Sequence, residues 1–127
     1  MNMQFIQSPL APAAVGPYSQ AVRSGNLLFC SGQIGLDPQT GELMSPDFQM
    51  QAEQVFKNLS AVVVAAGAGL QDVVRVEVFL TNIDNFALLN DIYERWFGYH
   101  KPARQTVEVS KLPKDALIEI SVIAAVN

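Results

Sequence analysis

The sequence predicts one α+β domain, a mixed β-sheet with two helices packed on one face. Three observations lead there. Two stretches carry apolar residues at helical spacing, an alternating β-branched stretch lies between them, and strand-like runs bounded by Gly, Pro, Asn and Asp flank both. The order is β-β-β-α-β-α-β-β. Its β-α-β-α-β core requires crossovers that lay both helices on the same side of the sheet.

Phe5 and Ile6 form a short apolar run that Pro9 and Pro12 end. Gln20 to Arg23 and Leu27 to Ser31 flank Ser24-Gly25-Asn26, a hairpin turn signal. Asp37-Pro-Gln-Thr-Gly41 is a second turn. Ser45-Pro46 reads as an N-cap with proline in the first helical turn. Phe48, Ala52, Val55, Phe56, Leu59, Val62, Val63 and Ala66 then follow one helical face, and Gly67 stops it.

Val73 to Thr81 predicts a strand with Val74, Val76, Val78 and Leu80 on one face. Asp84 caps a second helix whose stripe is Phe86, Leu89, Tyr93, Trp96 and Phe97, closed by Gly98. Arg104 to Val109 predicts a short strand, and Leu117 to Val126 a long one after the Leu112-Pro113 turn. In that last strand Ile118, Ile120, Val122, Ala124 and Val126 point one way, while Leu117, Ile123 and Ala125 point the other way beside Glu119 and Ser121. Two helices cover only one sheet face. The second, still partly apolar, is expected to pack against other copies of the chain.

Composition narrows the function. The 127 residues suit a single domain over 1–127, and with half of them hydrophobic and 16% charged the chain folds. The longest apolar run, Ala61 to Ala66, is far short of the about 20 residues of a membrane span. The first residues show neither a basic nor an apolar export region, and a single cysteine suits a reducing cytosol, so a cytoplasmic location is expected. A net charge of −4 gives no general attraction to nucleic acid or anionic membrane. Lys101, Arg104, Lys111 and Lys114 do fall close together in sequence.

Arg104 and Glu119 are the candidate chemistry. A guanidinium matches a carboxylate with two parallel bonds, and a carboxylate among Leu117, Ile118, Ile120 and Val122 is costly to bury without a partner or a task. Together they read as an acid-gripping cation and a proton acceptor; the plain alternative is a structural ion pair between two edge strands. Cys30 reads as a buried small hydrophobe and Trp96 and Phe97 as core. His100 reads as a solvated loop histidine or helix-end cation, with no second histidine for a metal. Tyr18 could merely fill a turn, and Asn90 could cap or bond locally.

The motifs Gly16-Pro-Tyr18-Ser-Gln20, Ser31-Gly-Gln-Ile34, Asn90-Asp-Ile-Tyr93, Pro102-Ala-Arg104 and Leu112-Pro-Lys-Asp115 through Ile118-Glu119-Ile120 resemble the RidA (YjgF) family of reactive intermediate/imine deaminases. The resemblance spans essentially the whole chain. It implies a chorismate-mutase-like fold and a homotrimer whose sheets form a central barrel, with ligand clefts between subunits. It also implies hydrolysis of 2-imino acids or their enamines, such as 2-aminoacrylate and 2-iminobutyrate, to 2-keto acids and ammonia, without metal or cofactor. Arg104 would bind the substrate carboxylate and Glu119 would position the water. Tyr18 would close the cleft, Ser31 and Gly32 would line it, and Asn90 would lie near the ligand. Thr106 stands where many members carry cysteine; it keeps the backbone donor and loses the thiol. The family has also been described as ribonucleases or translation inhibitors, which would recruit the four basic residues. A trimer that binds a small carboxylate without catalysis would need Arg104 only.

Overall fold

The computed structural model describes residues 3–127. Its strands are β1 (Met3–Ile6), β2 (Ala21–Ser24), β3 (Leu27–Gln33), β4 (Val73–Leu80), β5 (Ala103–Glu108) and β6 (Ile118–Ala125); the helices are α1 (Phe48–Ala65) and α2 (Phe86–Phe97). The strands form one sheet in the order β1-β2-β3-β6-β4-β5. Every neighbouring pair is antiparallel except β4 and β5, which are parallel and joined through α2. The α+β architecture with a mixed sheet is therefore as expected. Among the described residues, no helix is long and apolar enough to cross a membrane.

The core lies between the helices and one sheet face. Val55, Phe56, Leu59, Val62 and Val63 of α1 are buried against Val76, Val78, Ile118, Ile120 and Val122. Each such side chain contributes about 1.5–3 kcal/mol relative to exposure. Phe56 joins the helices by stacking on Trp96, centroids 5.7 Å apart, and by meeting Tyr93 and Phe97 edge-on at 6.0 Å. Trp96 is only half-buried, because its Nε1 reaches out to donate to Glu53 Oε2 at 3.0 Å.

Helix termini follow local chemistry, with two corrections to the expected caps. The N-cap of α1 is Asp47, not Ser45: Asp47 is extended at φ −79°, ψ 132° and accepts from the Met50 N–H. Ser45 instead accepts from the Asp47 N–H, one step earlier. Asp84 does not cap α2. Asn82 caps a 3₁₀ turn over Ile83–Asn85, and α2 begins after it. At the other end of α1, the Gly67 N–H bonds Val64 O and the Ala68 N–H bonds Val63 O. This Schellman closure needs a left-handed residue, which Gly67 supplies at φ 85°.

Two irregularities change which residues face the core. A register shift between Val73 and Arg75 buries Val73 and leaves Val74 exposed, so the inward row of β4 is Val73, Val76, Val78 and Leu80. Leu117 precedes β6 and packs against the core, not on the open face. On that open face the register aligns Phe5, Val22, Phe29 and Ile123 across four strands. Phe5 is 71% and Phe29 44% exposed, so a single chain leaves this apolar row uncovered.

Candidate functional site

Glu119 sits where β3 bulges. Cys30 pairs with Val122 but Gln33 with Ile120, so β3 holds one extra residue around Ser31-Gly32. The bulge lays Gly32 directly over the carboxylate: a Cβ there would stand 2.8 Å from Glu119 Cδ and 3.1 Å from Oε2. Only glycine lets the chain approach this closely. Glu119 is half-buried, and burial raises its carboxyl above the ordinary range.

Glu119, Gly32 and Tyr18 share a cleft of about 310 Å³ with Pro12, Val15, Ile34, Leu36, Gly41 and Lys114. Buried amides hold its walls. The Gln20 side chain accepts from the Ser8 N–H and donates to the carbonyls of Ser8, Ala11 and Pro12, clamping the segment before β2. Ser31 Oγ donates to Ser19 O at 2.6 Å, so its hydroxyl secures the loop bearing Tyr18. From α1, Asn58 donates to Ile34 O and Leu36 O, and Gln54 donates to Asn58. Gln51 bridges Ser45 O and the Leu117 N–H, two residues ahead of Glu119. The three α1 carboxamides, Gln51, Gln54 and Asn58, were missed from sequence. The available signal was three carboxamides at i, i+3 and i+7 on a helix face that should be apolar.

Arg104 occupies a different place. It lies on β5 opposite Val76, which faces the helices, whereas Glu119 pairs with Phe79 on the open side. The two side chains therefore project from opposite faces of the sheet. The alternative of a structural ion pair between two edge strands fails: of the two, β5 is an edge and β6 is an interior strand, and Arg95–Glu53 is the ion pair among the described residues. Arg104 Nη1 instead donates to Asn90 Oδ1 at 2.8 Å, so Asn90 bonds across 14 residues and not locally. The guanidinium lies 4.8 Å from the Tyr93 ring centroid and 5.5 Å from that of Phe86. Burial raises the Tyr93 phenol, and the Arg104 charge opposes that rise.

Thr106 follows Arg104 on the same face, its Oγ1 buried without a partner. The Val109 N–H donates to Leu80 O at 2.8 Å. Alternation carried back along β5 turns the N–H groups of Val107 and Gln105 toward β4, and those of Thr106 and Arg104 toward the open edge. A cleft of about 350 Å³ lined by Asn90, Tyr93, His100, Lys101 and Arg104 lies beside them. One chain thus carries two separate candidate places: a cationic edge with outward amide donors, and a cleft with a partly desolvated carboxylate.

The remaining candidates separate from this chemistry. Cys30 is buried as expected, and burial pushes its thiol up to about 12. His100 is not a solvated loop residue. It is half-buried, with its Nε2 against Val73 O and its ring tilted on Phe97. Three of the four basic residues are divided between the clefts: Lys101 and Arg104 line one and Lys114 the other.

Comparison with known proteins adds identity-level information. The family model for endoribonuclease L-PSP matches residues 8–126. A 2-iminobutanoate/2-iminopropanoate deaminase of Dermatophagoides farinae is 44% identical over 124 residues, covering 98% of this chain and 97% of that protein. The crystal structure of RidA from an Antarctic Psychrobacter superposes with a TM-score of 0.94 at 48% identity, covering 97% of this chain and 99% of the other. Escherichia coli TdcF, crystallised with bound serine, gives a TM-score of 0.92 at 42% identity, covering 98% and 99%.

Proposed function

The chain belongs to the endoribonuclease L-PSP family, the RidA (YjgF) group, and from that premise we propose that it hydrolyses 2-imino acids to 2-keto acids and ammonia as a homotrimer. The observation that carries this reading is Glu119: a half-buried carboxylate with a raised pKa, in a cleft, beneath a glycine where any side chain would displace it. A carboxyl shifted toward neutrality can both take and return a proton.

In this reading copies pack through the open sheet faces, which brings the β5 edge of one copy beside the Glu119 cleft of the next. Arg104 and the Thr106 amide of one copy bind the substrate carboxylate, while Glu119 of the other faces C2. Water adds to the protonated imine carbon and gives its proton to Glu119. The carbinolamine nitrogen takes that proton back and the C2–N bond breaks to release ammonia. The hydroxyl gives its proton to the Glu119 carboxylate as it becomes the ketone, and Glu119 passes that proton to the departing ammonia, which leaves as ammonium. Tyr18, 54% exposed in the single chain, covers the ligand. An RNA-cleaving reading lacks a basic surface on a chain of net charge −4. A non-catalytic carboxylate binder would leave the desolvated Glu119 without a role.

The direct test is ammonia or keto-acid release from enzymatically generated 2-iminobutyrate. No acceleration over water would sink the reading. Arg104→Ala should weaken keto-acid binding by about 1.5–3 kcal/mol and lower kcat/KM with it; Arg104→Lys should recover little, because the planar fork is gone. Gly32→Ala should push the Glu119 carboxylate aside and lower kcat by roughly 10–10²-fold. Its thermal midpoint should stay close to the parent's, since Gly32 is exposed. Parent-like kcat in that variant would show the close contact to be incidental.

A further inference from the structure

Among the described residues, Lys114 and Asp115 are the non-glycine residues with positive φ, at 58° and 57°. Two such residues in tandem cost free energy, and outliers of this kind concentrate where a side chain must be aimed. They form the turn Pro113–Asp115 between β5 and β6. From it the Lys114 Nζ donates to Gly41 O at 2.9 Å, and both residues line the Glu119 cleft. An ammonium has three donors, and this carbonyl occupies one. The cleft offers an apolar stretch from Pro12, Val15, Ile34, Leu36 and Pro38, beside the polar Gln39 and Thr40. Glu119 lines the same cleft, its carboxyl raised by burial. At about 310 Å³ the cleft reaches the lower end of small-molecule pockets, about 300–1,000 Å³, and holds more than a four-carbon acid.

We propose that Lys114 is a specificity-determining residue that takes a second, distal carboxylate, so that the cleft admits acidic 2-imino acids as well as small neutral ones. The proposal rests on the deaminase reading for its reaction. Arg104 of a second copy holds the C1 carboxylate, C2 faces Glu119, and the side chain runs along the apolar wall to Lys114. An acidic 2-imino acid and one water give the 2-keto dicarboxylate and ammonium, with no other reactant.

The test compares 2-iminoglutarate, generated from glutamate by an amino-acid oxidase, with 2-iminobutyrate from threonine dehydratase. Calorimetry of 2-oxoglutarate against 2-oxobutyrate runs alongside. Lys114→Met should lower the acidic-to-neutral ratio of kcat/KM, and of keto-acid affinity, by roughly fivefold, the modest size expected of an exposed charge pair. Lys114→Arg should keep both ratios, and added salt should erode them in the parent. Ratios unchanged in Lys114→Met overturn the proposal. Absence of imine hydrolysis with the 2-oxoglutarate preference intact overturns the deaminase reading and leaves the Lys114 assignment standing.

Discussion

Glu119→Gln should still bind 2-oxobutyrate yet turn over 2-iminobutyrate about 10²–10⁴-fold more slowly. The amide keeps the size of the carboxyl under Gly32 and cannot accept the proton. The same variant should be more stable than the parent at neutral pH. Burial raises the folded-state pKa of Glu119 above its ordinary value, so the folded chain binds a proton more readily than the unfolded one. Stability from this group is present below the ordinary carboxylate range and is lost as pH rises through the raised value. An uncharged amide avoids that loss, and the stability gap between variant and parent should close on acidification. Parent activity should fall over the same acid range as the acceptor becomes protonated. Parent-rate hydrolysis by Glu119→Gln would make the carboxylate structural and the mechanism wrong.

Ile123→Asp should dissociate the assembly and abolish activity together. Ile123 lies on the open sheet face in line with Phe29, Val22 and Phe5, outside the core of the single chain. A charge there is tolerated by an isolated chain and would be desolvated without a partner between copies. Sedimentation should show trimer for the parent and monomer for the variant, with unchanged circular dichroism. A parent that sediments as a stable monomer at micromolar concentration would refute the shared interface.

Much of this was legible in the sequence because the signals were local. Helical spacing located α1 and α2, alternation located β4 and β6, and Gly67 marked the end of α1. The cap of α1 was misplaced because Ser45 and Asp47, two residues that both favour caps, flank Pro46; the extended backbone at Asp47 decides between them. What was not legible is long-range pairing. β6 inserts between β3 and β4, which rules out the alternative that placed it at an edge. The parity that sets Arg104 and Glu119 on opposite faces depends on that order and on register. Chemistry alone named the two residues; it could not say that one chain keeps them apart. His100 was misread for a related reason, since its partner Val73 is 27 residues away.

The placement of Arg104 and Glu119 on opposite faces of the sheet also has a genetic meaning. If each complete site draws Arg104 from one copy and Glu119 from its neighbour, a lesion in either residue is not confined to the subunit that bears it. A chain lacking the arginine still offers an intact carboxylate cleft, and a chain lacking the carboxylate still offers an intact arginine edge. Mixed assemblies of two dead alleles would then contain restored sites at subunit boundaries. A single defective allele, conversely, would poison sites that its healthy partners help to build, so dominance and complementation become two readings of one sheet register.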